Sequence, residues 1–159
     1  MSTRIGFSTS KTSWISKIIR WFTHGQVSHT FFIYFDTDWN RDMVMEATEG
    51  GFKITPFSQH GGIVKIVTPK YSVEKGLAEA VDWLGDGYDY VGLFGMMWVE
   101  FGRWLKRKWR TPLRSSKTMF CSEAVARVMQ DTQYPGTGTW DPQSIDPEML
   151  LEFFEKESQ

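Results

Sequence analysis

Residues 27–35 read VSHTFFIYF and residues 43–48 read MVMEAT, two runs rich in β-branched and aromatic side chains with DTDWNRD between them. Aspartate and asparagine favour tight turns because their side chains bond nearby backbone, so two such runs around that stretch predict an antiparallel hairpin. Shorter runs of the same kind, Arg4 to Ser8, Phe52 to Thr55 and Gly62 to Thr68, add strands, the last two bounded by glycine or proline. The sheet is therefore expected in the first half of the chain.

Helical spacing accounts for the rest. Trp14, Ile15, Ile18, Ile19 and Phe22 recur at the helical period behind a capping Ser13, and Val73, Leu77, Ala80, Val81 and Leu84 do so between Ser72 as cap and Gly85 as stop. Asp89 to about Trp109 reads as helical although it contains Gly92, Gly95 and Gly102, each of which costs about 1 kcal/mol relative to alanine. Thr118 can cap a helix with an apolar face of Cys121, Ala124, Val125, Val128 and Met129, and Glu123 pairs with Arg127 four residues on, on the opposite face. The loop YPGTGTWDPQS leads to a last short helix near Pro147 to Lys156. The predicted class is α+β, an antiparallel sheet packed against helices. The 159 residues fill one domain, 1–159, with a core of its own.

Composition narrows the function classes. Hydrophobic residues are 41% and charged residues 23%, globular proportions, while 16% aromatic residues with eight tryptophans suggests a core or groove lined by large side chains. The uncharged run Tyr90 to Val99 is about half of the roughly 20 residues a spanning helix needs, so no transmembrane segment is expected. The opening MSTRIGFSTSKTSW has no continuous apolar stretch of a secretory signal, and a single cysteine makes no internal disulfide; both suit a cytoplasmic location. No nucleotide-binding glycine loop and no specific nucleic-acid motif is present, and Gly136 to Gly138 follows no clear strand. Zinc sites draw on closely spaced Cys and His, whereas here one Cys and no HxxxH or CxxC pair occur, so neither a metal nor another cofactor is expected.

The one cysteine carries the chemistry. A lone Cys on an apolar helix face is as a rule a small buried hydrophobe. With Thr118 as cap, however, Cys121 stands at the third helical position, where free backbone N–H groups and the helix dipole favour a thiolate and offer an oxyanion donor. Of the three histidines, His24 and His60 fall in turns and read as exposed loop residues, while His29 lies within the apolar strand, on the face of Val27, Phe31, Ile33 and Phe35. A core histidine bonded to backbone is one reading of that position. The other is a base held by an acid: with Asp36 to Trp39 as the loop, opposed residue numbers sum to 75, which sets Glu46 against His29. Cys121, His29 and Glu46 then make a triad of nucleophile, base and orienting acid.

The order of these segments, SHTFFIYF with the His, VMEATEGGF with the Glu, LGDGYDYVGLFG, FCSEAVARVM with the Cys and then DPQSIDP, resembles the permuted branch of the NlpC-type, papain-like cysteine hydrolases, the YiiX/YebB-like group. The resemblance covers about residues 4 to 150. It implies a circularly permuted papain-like fold with Cys121 as nucleophile, His29 as base, Glu46 as acid, and Tyr88 as an aromatic approaching the nucleophile at the substrate. The implied activity is a cysteine peptidase or amidase, cleaving a peptide or isopeptide-like amide through a thioester. A thiol acyltransferase acting on lipid or amine acceptors is the alternative, although the NCEHF-like box of the lecithin:retinol acyltransferase branch is absent. A non-catalytic interaction module that retains the fold is a third reading.

The aromatic, basic stretch 96–114 has no counterpart in that pattern and reads as a candidate helical insertion. Net charge is −1, yet Arg103, Lys106, Arg107, Lys108, Arg110, Arg114 and Lys117 follow one another with no acid between, against an acidic tail. That run is either a solvated helix end or a surface for an acidic or anionic partner across 103–117. If it docks an anionic partner, binding should weaken with salt, since screening tightens from about 10 Å at 0.1 M to about 3 Å at 1 M. Reversing Lys106, Arg107 and Lys108 to Glu should weaken it likewise; an affinity indifferent to both removes the surface.

Overall fold

The expected hairpin forms as β2 (His29–Asp36) and β3 (Arg41–Thr48). Its turn is built by the predicted side-chain chemistry: Asp36 Oδ1 accepts from the backbone N–H groups of Asp38 at 3.0 Å and Trp39 at 2.9 Å, and Asn40 takes a positive φ of 47° that asparagine tolerates. The computed structural model describes residues 2–10, 14–88, 101–102, 104–105 and 118–158, with Trp14, Ile15, Phe22, Tyr88 and Thr118 described in their backbone only.

Around the hairpin, β1 (Arg4–Ser8), β4 (Gly51–Pro56) and β5 (Ile63–Val67) complete a five-stranded antiparallel sheet in the order β4-β3-β2-β1-β5. Among the described residues four α-helices accompany it: α1 (Trp14–Thr23), α2 (Glu74–Glu79), α3 (Cys121–Asp131) and α4 (Pro147–Glu157). The α+β class and the antiparallel sheet against helices are as expected. No helix among the described residues is long and apolar enough to cross a membrane. Within the expected helix 89–109 and the candidate insertion 96–114, only residues 101, 102, 104 and 105 are described; the charged side chains of the basic run 103–117 lie outside the described residues.

Alternation along the strands separates two faces. Ile5, Phe7, Phe32, Met45, Ala47 and Phe52 point to one side and pack with Ala124, Val125, Val128 and Met129 of α3, Leu77 of α2 and Leu150, Leu151 and Phe154 of α4. Phe31, Ile33 and Val44 point to the other, beneath Phe57 of a 3-10 turn, Phe57–Gln59. His29 shares this second face, so the Cys121 helix does not pack on the His face; it covers the opposite one. Apolar bulk decides this, because the first face presents the larger continuous hydrophobic surface to the helices.

Two helix starts also differ from expectation. Thr118 does not cap α3: Thr118–Met119 forms β7, paired in parallel with β6 (Gly87–Tyr88), and Phe120 is the N-cap. Cys121 is therefore the first helical residue, not the third. Ser72 sits one residue too early to cap α2, whose N-cap is Val73, although the Ser72 hydroxyl accepts from Glu74 N. The helix passes after Glu79 into a 3-10 turn, Ala80–Trp83, and Gly85, at φ 90°, ends the segment as expected.

The close approach of α2 to α3 depends on Gly76. A Cβ there would stand 2.5 Å from the Val128 carbonyl oxygen and 3.0 Å from Thr132 Cγ2. Helix preference alone favours alanine by about 1 kcal/mol, but overpacking against backbone costs roughly 1–3 kcal/mol. Gly76→Ala should therefore lower the urea midpoint of unfolding, and a raised midpoint would refute the close approach.

Candidate active site

His29 opens β2, directly after the chain leaves a loop that α4 holds. Glu148, in the first turn of α4, accepts from the backbone N–H groups of Gln26 at 2.8 Å and Val27 at 3.2 Å, and any side chain at Gly25 would collide with that carboxylate. Asp146 caps the same helix, accepting from Met149 N at 2.8 Å. One helix start thus fixes where the histidine strand begins.

The β2–β3 ladder runs from Asp36↔Arg41 to Phe32↔Met45, opposed numbers summing to 77. The predicted register of 75 is thus off by two, because the turn includes Asn40. In the observed register Glu46 lies opposite Phe31, and His29 is its diagonal neighbour on the same face, still within reach. His29 Nε2 donates to Glu46 Oε2 at 2.6 Å. The ladder stops before His29, so the strands separate there. In that gap the imidazole meets Glu46 and also interacts, by charge and a side-chain hydrogen bond, with Cys121 from the helix of the opposite face. Nε2 is taken by Glu46, and Cys121 lines the same cavity as the ring.

His60 was expected to be an exposed loop residue; it belongs to the site. Its Nε2 donates to the same Glu46 Oε2 at 3.0 Å, and its ring stacks on Phe31 at 4.0 Å between centroids. Phe31 lies flat across β1 because Gly6 opposes it with no side chain to strike the ring. Gly62, at φ 69°, turns the chain back against Thr9, whose N–H donates to the Gly62 carbonyl at 2.9 Å. The sequence signal was the pair of glycines behind His60, a bend rather than a free loop. His24 is exposed as expected.

Glu46 is 6% exposed. Burial by itself would raise its carboxyl, but the hydrogen bonds and charge of His29 and His60 outweigh burial and hold it well below the usual carboxylate range. Burial alone would lower His29; the negative charge of the Cys121 sulfur, its hydrogen bond and Glu46 together push it up to about 10. Lys53, opposite Glu46 on β4, brings its Nζ to 4.0 Å from Glu46 Oε1.

Cys121 is buried at the first position of α3, where the opening N–H groups of the helix have no intrahelical acceptor. Ser122 Oγ donates to the Ile145 carbonyl at 2.7 Å. The predicted Glu123–Arg127 pair forms, at 2.6 Å, but Glu123 is fully buried instead of facing solvent. Burial pushes its carboxyl up, against Arg127, Gln143 and the Phe120 backbone N–H, which favour the charge.

Cys121, His29, Glu46 and His60 line one cavity of about 510 Å3, walled also by Ser8, Ser28 and by Ser16 and Ile19 of α1. Ser16 Oγ and Ser28 Oγ lie 2.5 Å apart. The Tyr88 side chain, expected near the nucleophile, lies outside the described residues. No protein-family model matches the chain, and no curated protein matches it in sequence.

The two shifted groups act on stability at opposite ends of the pH scale. Glu46 titrates below its ordinary 4.5 in the fold, so its contribution is complete above that value and lost as acid protonates it. His29 titrates above its ordinary 6.5, so its contribution is complete below 6.5 and lost as the pH rises towards about 10. Thermal midpoints should fall on either side of this window, and Glu46→Gln should flatten both limbs. Superimposable pH profiles of the two proteins would show that the carboxylate does not govern the pair.

Proposed function

We propose that this chain is a cysteine hydrolase cleaving an amide bond, peptide or isopeptide-like, through a thioester on Cys121, and that its α+β fold is the circularly permuted papain-like one. The observation that carries the reading is a single imidazole bonded to a buried carboxylate through one nitrogen and engaged with a helix-start cysteine through the rest of the ring, inside a cavity. Support for the permuted fold comes from chain order: the base strand precedes its acid strand, and both precede the nucleophile helix.

In this mechanism His29 Nδ1 takes the thiol proton and the sulfur attacks the substrate carbonyl carbon. The π electrons move to the carbonyl oxygen, and the Cys121 N–H, at the positive end of α3, donates to that oxyanion. As the tetrahedral intermediate collapses, the C–N bond breaks and His29 gives its proton to the departing amine. Water, deprotonated by His29, then attacks the thioester, and the thiol leaves with the proton. Glu46 keeps Nε2 protonated and stabilises the imidazolium. The cavity admits a substituent of side-chain size beside the sulfur, which suits a small peptide amide.

A helix start and an adjacent imidazolium move a thiol from about 8.5 towards roughly 3.5–7.5 as a general rule, so Cys121 should alkylate with iodoacetamide at about pH 6.5 far faster than a free thiol. His29→Ala should slow that reaction, and equal rates would remove His29 from the mechanism. Release of amine from a panel of aminoacyl and γ-glutamyl amides, abolished in Cys121→Ala, would identify the substrate. A panel with fast alkylation and no amine release would exclude amide hydrolysis for those substrates.

A further inference from the structure

We propose that His29, His60 and Glu46 form a binding site for a zinc-class divalent ion, and that the bound ion silences Cys121. The second half rests on the thiol reading above; the first does not. One ligand-type atom from each of the three side chains falls within a set no more than 4.8 Å apart. The two histidine rings lie parallel, 4° between planes and 5.8 Å between centroids, and both Nε2 atoms converge on Glu46 Oε2, at 2.6 and 3.0 Å. Zinc binds imidazole nitrogen and carboxylate oxygen at about 2.0–2.2 Å, so tetrahedral ligands around it stand about 3.3 Å apart. Small side-chain rotations bring these three to that spacing.

A second observation is that His60 is surplus to thiol chemistry. A triad needs one imidazole, and Glu46 is already bonded to His29. Yet His60 is seated on Phe31, and its buried Nδ1 has no hydrogen-bond partner among the described residues, a cost that a merely structural side chain would avoid. Two imidazoles and one carboxylate facing a cavity are the donor set of a zinc site with a position left open. His29 also interacts with Cys121, which lies outside the proposed ligand set and lines the same cavity. Lys53 approaches the other carboxylate oxygen, and its half-exposed stem is free to turn away.

The ion would take the Nε2 lone pair of His29, releasing the Nε2 proton to solvent and replacing the hydrogen bond to Glu46. The ring keeps its other proton on Nδ1 but is no longer an imidazolium, so it ceases to balance the charge of the sulfur; the sulfur takes a proton from solvent, and the ring, with no free lone pair, cannot remove it again. Binding and silencing follow from one coordination event.

The test uses metal-free full-length protein titrated with zinc by calorimetry, with cobalt(II) as a visible-spectrum probe and iodoacetamide rates compared with and without zinc within each variant. One zinc per chain is expected in the wild type and in Cys121→Ser, with at least tenfold weaker binding in His60→Ala and in the size-conserving His60→Gln. Zinc should slow wild-type alkylation at least tenfold and slow it less in both His60 variants. No zinc uptake by the folded wild type, or uptake that survives loss of His60 but vanishes in Cys121→Ser, would overturn the site. Zinc uptake that leaves the alkylation rate unchanged would overturn the silencing. Slow alkylation without metal would instead overturn the thiol reading, while the calorimetry still decides the metal site.

Discussion

A buried carboxylate must be compensated, and much of this molecule's local architecture serves the compensation of Glu46. Removing a charge from water costs several kcal/mol unless hydrogen bonds and opposite charge replace the solvent. His29 and His60 supply both, through one oxygen, and Lys53 approaches the other. Each partner has its own reason to be in place: His29 through the loop clamped by Glu148, His60 through the Gly62 turn and the Phe31 ring, Lys53 through the β3–β4 ladder. A carboxylate served from three elements cannot slide along its strand without losing all three. The register of β3 is therefore pinned by electrostatics as well as by the alternation of apolar residues.

A second set of contacts brings the cysteine to this cluster. Ser122 ties the start of α3 to the Ile145 carbonyl, and one residue later Asp146 caps α4, whose first turn holds the backbone of Gln26 and Val27. Three starting points, of α3, α4 and β2, are linked by short-range hydrogen bonds within a few residues of one another. Cys121 and His29, 92 positions apart in sequence, meet because α4 begins between them. Buried Glu123, bonded to Arg127 one turn further on, anchors the first turn of α3 at the place where the sulfur must stay still.

Much of the fold was legible because it depends on local pattern. The alternation of VSHTFFIYF and MVMEAT, with Asp36 and Asn40 in the turn, is sufficient to read the hairpin, and Cys121, Ala124, Val125 and Val128 are sufficient to read the helix face. What could not be read depends on distance along the chain. The cap of α3 was misassigned because Thr118 has the right chemistry, whereas β7 claims its backbone through a parallel pairing with Gly87–Tyr88 that no local pattern announces. Glu123 looked solvent-facing because its neighbours in sequence are silent about Gln143. His60 reads as an exposed loop residue because it stands in the Gly-rich turn QHGG; its burial depends on Gly6, 54 residues earlier, which leaves room for the Phe31 ring on which it stacks.

The histidine lies on the face away from the cysteine helix, and the reason it meets Cys121 all the same lies at the end of a ladder. Within a paired sheet, side chains on one face cannot touch a helix on the other, because the hydrogen-bonded backbone lies between them. Had the β2–β3 ladder continued to His29, the imidazole would bond Glu46 and be sealed from Cys121 by β3. The last rung is Phe32↔Met45, and beyond it β2 leans on β1 while β3 continues with β4 alone. The opening between them is where the cavity forms and where a ring held from one face can be reached from the other. Acid and nucleophile thus come from a strand and from the helix covering that sheet's other face, and the imidazole interacts with both. Such a site tolerates substitutions in either core better than any change that would let β2 and β3 zip closed.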